Sequence, residues 1–137
     1  MRGLRIGIGN PLRRDDGVAA VALHRIPADD NWRSLELIQL TPEVAAEFTG
    51  FDRVVFVDAD AGEGCGVLLE AITEAGSEPL THHSTPAAVV ALARCLYGFS
   101  GIAEICRIPA EDFGYGEGLS ARAEAMAEEA ARLLSRS

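Results

Sequence analysis

The chain has 137 residues, 48% of them hydrophobic and 24% charged, with a net charge of −9. These values describe one globular domain, residues 1–137, long enough to enclose a core. The acidic balance argues against nucleic acid or an anionic membrane as partner, and apolar runs of about six residues fall far short of the ~20 that span a bilayer.

In chain order, Leu4, Ile6 and Ile8 mark a first strand over residues 4–8, which runs into a Gly9-Asn10-Pro11 turn. Residues 16–26 follow as a helix, apolar nearly all round and hence buried, stopped by Pro27. Leu35 to Leu40 give a second strand. Thr41-Pro42-Glu43 supplies N-cap, N1 proline and early acid in order and opens a helix to about Thr49. Arg53 to Val57 is a third strand, with the continuous β-branched run of a central parallel strand. Gly66 to Thr73 is a fourth. Thr85-Pro86 repeats the cap-and-proline pattern and starts a helix to about Tyr97, ended by Gly98. Ile102 to Ile108 is the fifth strand, and Ser120 caps a last helix to about Leu134.

Only residues 58–65 separate strands three and four, whereas a parallel crossover takes a dozen or more. The fourth strand is therefore expected antiparallel to the others, in a three-layer α/β domain. It then ends at the sheet edge opposite Asp58, and the next helix must begin back beside Asp58. Residues 74–84 make that return, carrying His82 and His83; about eleven residues at ~3.3 Å each reach ~35 Å, which is ample.

Asp15, Asp16, Asp58, Asp60, His82 and His83 thus gather at the carboxyl edge of the sheet, where open α/β sheets hold their ligands. Gly7 and Gly9 match the first two glycines of a dinucleotide fingerprint. Leu12 stands at the third, however, and the paired acids would repel a pyrophosphate. Carboxylates and imidazoles from three loops instead suit a divalent transition ion such as Ni²⁺ or Zn²⁺ with open coordination positions.

Each residue also has a plainer reading. An acid at a helix N-terminus is stabilised by the macrodipole, the better account of Asp15 and an even alternative for Asp16. Asp58 could cap the turn after its strand, and His82 or His83 could bond its own loop. His24, in the last turn of the first helix, fits a surface residue that complements the dipole. Cys65, Cys95 and Cys106 are odd in number and far apart, with no C-x-x-C, which reads as free thiols in a cytoplasmic protein. Cys65, between glycines, has no partner at metal spacing. The N-terminus carries no signal-peptide pattern, in keeping with the cytoplasm. No Gly-x-Ser-x-Gly elbow and no cysteine with a motif-placed histidine supports nucleophilic catalysis.

Taken in order, Gly7-Ile-Gly-Asn-Pro-Leu-Arg-Arg-Asp-Asp-Gly17, Val57-Asp-Ala59, Thr81-His82, Ile108-Pro109 and Gly118-Leu-Ser120 resemble the signatures of the hydrogenase maturation endopeptidases. The likeness covers nearly the whole chain. It implies an α/β/α, phosphorylase/hydrolase-like fold with a mixed five-stranded sheet of order 2-1-3-5-4 and strand four antiparallel. It implies a hydrolase that trims the C-terminal extension of a [NiFe] hydrogenase large-subunit precursor, its protein partner, after nickel insertion. The metal contacts carried over are Asp16, Asp58 and His82, with His83 the alternative one residue on. Asp16 is a shorter form of an acid that is often Glu in the family. Asp16 and Asp58 are also the implied catalytic pair of an aspartic-type or metal-dependent peptidase. Either a bound ion polarises the scissile carbonyl or activates water, or the substrate's own nickel is the recognition element and an aspartate helps to activate water. The second is favoured, and zinc or cadmium could fill the same ligands. Two other classes stand beside this one: a non-catalytic metal- or ligand-binding module, and a peptidase of the same fold directed at a different precursor, such as a spore-protein protease.

Overall fold

The computed structural model of the chain describes residues 1–62, 64, 66–73 and 84–137. Its frame is a five-stranded sheet built from β1 (Gly3–Ile8), β2 (Trp32–Leu37), β3 (Arg53–Asp60), β4 (Leu68–Ala71) and β5 (Ile102–Pro109). The strand order is β2-β1-β3-β5-β4. β1, β2, β3 and β5 are parallel, and β4 runs antiparallel to β5. The reversal of β4 is that expected from the short link after the third strand, and the strand order is the one the resemblance implied.

Alternation along the strands makes two cores, one on each face. Leu4, Ile6, Val54, Phe56 and Ile105 face a layer formed by α2 (Pro86–Leu96) and a 3-10 segment, Pro42–Phe48. Val55, Val57, Cys106 and Ile108 face α1 (Val18–His24) and α3 (Ala121–Arg136). Val54 to Val57 are fully buried, so both faces of β3 demand apolar residues. This explains the unbroken hydrophobic run. α1 lies close against β1 because Gly7 has no side chain: a Cβ there would come within 2.8 Å of Leu23 Cδ1.

Several boundaries move. The apolar stretch predicted as one helix over 16–26 is a 3-10 turn, Arg14–Gly17, followed by α1. β2 starts at Trp32 and not at Leu35, because it pairs Gly3 with Trp32 and Ile8 with Leu37. Residues 38–40 then lie beyond the β1–β2 ladder, since β1 has ended. The segment opened by Thr41 is 3-10 and not α, and the Thr41 side chain makes no capping bond. Thr85 and Ser120 do cap as expected, accepting from the Ala88 and Ala123 amides at 3.1 and 3.2 Å. β4 is shorter than predicted. β3 runs three residues past Val57 because β5 continues beside it, pairing Asp58 with Arg107 and Asp60 with Pro109. Among the described residues no helix is long and apolar enough to cross a membrane.

Candidate active site at the carboxyl edge of the sheet

The chain leaves β1 through Gly9, at φ +152°, where a Cβ would lie 1.8 Å from the Asp16 carbonyl oxygen. Only glycine lets the following turn fold back this tightly. The turn enters its 3-10 segment through Arg14 at φ 47°. Asp16 sits half-buried within it, and its Oδ2 accepts the Asn10 amide at 2.8 Å. One oxygen of Asp16 therefore holds the turn.

Asp15 points the other way and is fully buried. Its Oδ2 accepts from the amides of Glu111 and Asp112, each at 3.0 Å, and from the Ser120 hydroxyl at 2.8 Å. Its Oδ1 accepts the Ser120 amide at 2.7 Å. Burial pushes the carboxyl pKa up, but the bonds from Ser120, Glu111 and Asp112 together outweigh it and hold it below the usual range. Asp15 is a structural acid, though its role is to anchor the loop between β5 and α3 and not to complement a dipole. Arg13 and Arg14 reinforce that join. The Arg13 guanidinium donates twice to the Phe113 carbonyl, at 3.2 and 3.0 Å, and the Arg14 amide donates to the Gly116 carbonyl at 3.0 Å.

Asp58 lies level with Ile8 of β1 and Arg107 of β5, on the face covered by α2. Burial is the main cause that lifts its pKa to about 6. The bond from the Ala59 amide opposes this, the charge of Asp16 adds to it, and Arg107 opposes it again.

Asp16 and Asp58 line one open cleft of about 280 Å³, together with Gly9, Ser84 and Pro86 at the start of α2. Two separate segments thus bring both acids to the predicted edge. His82, His83 and Cys65 lie outside the described residues. Among the described residues no group of three or more His, Cys, Asp or Glu is placed to hold a metal ion. Asp60 ends β3 and accepts the Gly62 amide at 2.9 Å, closing a local turn. His24 is exposed at the end of α1 with its Nε2 2.6 Å from Glu36 Oε2.

Sequence reasoning missed Arg107. It lines a second cleft, of about 430 Å³, that shares Asp58 and Pro86 with the first. A single cation near the carboxyl end of the fifth strand was the available signal.

No family model matches the chain, and no curated protein matches it in sequence. Solved structures do match. The hydrogenase maturating endopeptidase HybD from E. coli aligns with a TM-score of 0.77 and 20% identity, over 98% of this chain and 90% of that one. The [NiFe] hydrogenase maturation protease HycI from Thermococcus kodakarensis KOD1 aligns with a TM-score of 0.73 and 22% identity, over 98% and 90%. The [NiFe] hydrogenase maturation protease HybD from Thermococcus kodakarensis gives 0.71 and 21%, over 99% and 98%. By fold, the chain is similar throughout its length to the solved hydrogenase maturation endopeptidases.

Proposed function

We propose that this protein is a cytoplasmic endopeptidase that removes the C-terminal extension of a [NiFe] hydrogenase large-subunit precursor after nickel has been inserted. One observation carries the reading: Asp16 and Asp58 line the same cleft beside the start of α2. The fold shared with hydrogenase maturation proteases supports it. In the hydrolysis, the oxygen of water adds to the scissile carbonyl carbon, the C–N bond breaks, and a proton passes to the leaving amine. Asp58 suits that proton transfer, since a pKa of about 6 leaves both of its forms populated near neutral pH. Asp16, fixed by the Asn10 amide, presents the second carboxylate.

The nickel belongs to the substrate. Two oxygen donors facing one cleft complement a metal-bearing precursor without being a set that holds a borderline ion tightly alone. A protease that waits for nickel should bind nickel weakly by itself. His82 is the proposed nitrogen contact, with His83 the alternative. The test is incubation with nickel-loaded and nickel-free precursor, followed by mass measurement. The expected result is that only the loaded precursor loses the mass of its extension. If both stay intact the reading is wrong, and if both are cut the nickel requirement is wrong.

A further inference from the structure

The cleft of Asp16 and Asp58 continues toward β2 into a smaller one, with Ile8, Gly9, Asp16 and Ile38 common to both. The side cleft holds about 190 Å³ and is further walled by Pro11, Ala20 and Leu37. It exists because small residues surround it: Gly7, Gly9 and Gly17 offer no side chain, and Ala20 of α1 offers one methyl. Apart from Asp16 its acid is Glu36, which His24 already engages at 2.6 Å. A cavity of roughly 150 Å³ accepts a benzene-sized guest. This space therefore fits one aliphatic side chain and is too small for a folded segment.

We propose that the side cleft is a specificity pocket for the aliphatic side chain of a precursor residue that flanks the scissile bond. The inference rests on the endopeptidase reading and deepens it. Continuity with the central cleft decides the occupant. A peptide advances ~3.3 Å per residue, so a carbonyl held between Asp16 and Asp58 leaves only an adjacent side chain within reach of the mouth. A lysine or arginine stem would fit the space, but Glu36 is already paired and Asp16 is engaged by the Asn10 amide, so the head would gain little for the water it loses. Discrimination between a filled and an under-filled apolar pocket is worth roughly 10- to 200-fold in kcat/KM.

The experiment uses nickel-loaded precursor in which the residue on each side of the scissile bond is changed in turn to Ala, Val, Leu or Lys. Cleavage by the unaltered protein and by Ala20→Leu is followed as kcat/KM. At one of the two positions the unaltered protein should favour Val or Leu over Ala by roughly tenfold or more. Ala20→Leu, which fills the pocket from a helix that tolerates leucine, should reverse that order. Ile38→Ser, at an exposed position on the rim, should weaken the preference independently should Ala20→Leu fail to fold. An unchanged preference in both variants, lysine favoured at both positions, or no dependence on either side chain overturns the pocket while leaving the peptidase reading intact. Failure to shorten any nickel-loaded precursor overturns both.

Discussion

Ser120 bonds to Asp15 twice, through its amide at 2.7 Å and its hydroxyl at 2.8 Å, while the same hydroxyl accepts the Ala123 amide that opens α3. The acid of the first turn and the cap of the last helix are one hydrogen-bonded unit. Its neighbour Asp16 faces the cleft. Adjacent carboxylates therefore have separable roles, one in stability and one in the site.

Asp15→Ala should separate them. The substitution leaves the amides of Glu111, Asp112 and Ser120 without their acceptor, at a cost of about 3 kcal/mol. Asp16→Asn keeps an acceptor for the Asn10 amide and should cost under ~1 kcal/mol. Urea unfolding reads both. A mild Asp15→Ala paired with a severe Asp16→Asn would reverse the assignment.

Asp58→Asn should stabilise the fold while abolishing processing. Folding raises the Asp58 pKa from its ordinary 3.8 to about 6, chiefly through burial. Between those values the folded state holds more protons than the unfolded one, so stability falls as pH rises through the window, and the whole penalty is present above pH 6. Removing the charge should add about 2 kcal/mol at pH 7, once screening in an open cleft is allowed for. It should also flatten the pH dependence of unfolding between pH 4 and 6. A variant less stable than the parent at pH 7 would show that the ionised carboxylate is a structural group.

Gly9→Ala meets two obstacles together, the φ of +152° and the Asp16 carbonyl 1.8 Å from the new methyl. A stability loss of roughly 2–4 kcal/mol follows. Because relief of the clash moves Asp16, precursor cleavage should drop even at temperatures where the variant is fully folded. Circular dichroism and cleavage at one low temperature test this, and full activity there would show that Asp16 tolerates the shift.

The described thiols should differ in reactivity. Cys95 is exposed, whereas Cys106 is buried between β5 and the α1–α3 layer, with its pKa pushed up to about 12 by that burial. Iodoacetamide should label Cys95 in the native protein and reach Cys106 only in denaturant. Peptide mass mapping distinguishes them. Native labelling of Cys106 would mean that the core opens locally.

The parts of the molecule legible from the chain are those governed by local chemistry or by chain length. Pro86 after Thr85 announced a helix start, and the eight residues from Asp58 to Cys65 were too few for a parallel return, which is why the reversal of β4 could be foreseen. Asp16 follows β1 and Asp58 lies near the end of the neighbouring β3, so their arrival at one edge was a matter of topology. Asp15 was misjudged in mechanism because its partners lie 96 to 105 residues away, beyond the reach of any local pattern. The start of β2 was missed because Arg33 and Ser34 read as polar, and only pairing with β1 defines where an edge strand begins. Arg107 escaped notice because its importance comes from register with Asp58 and not from its own surroundings in sequence.

The anchoring of Asp15 also sets a timetable. Its donors, Glu111, Asp112 and Ser120, are synthesised 96 to 105 residues after it. As a ribosome releases the chain from its N-terminus, Asp15 lacks its full set of donors until Ser120 has emerged. Translation products cut short before Glu111 lack the anchor altogether. The join between the Asp15 turn and the start of α3 is thereby deferred until Ser120 is in place.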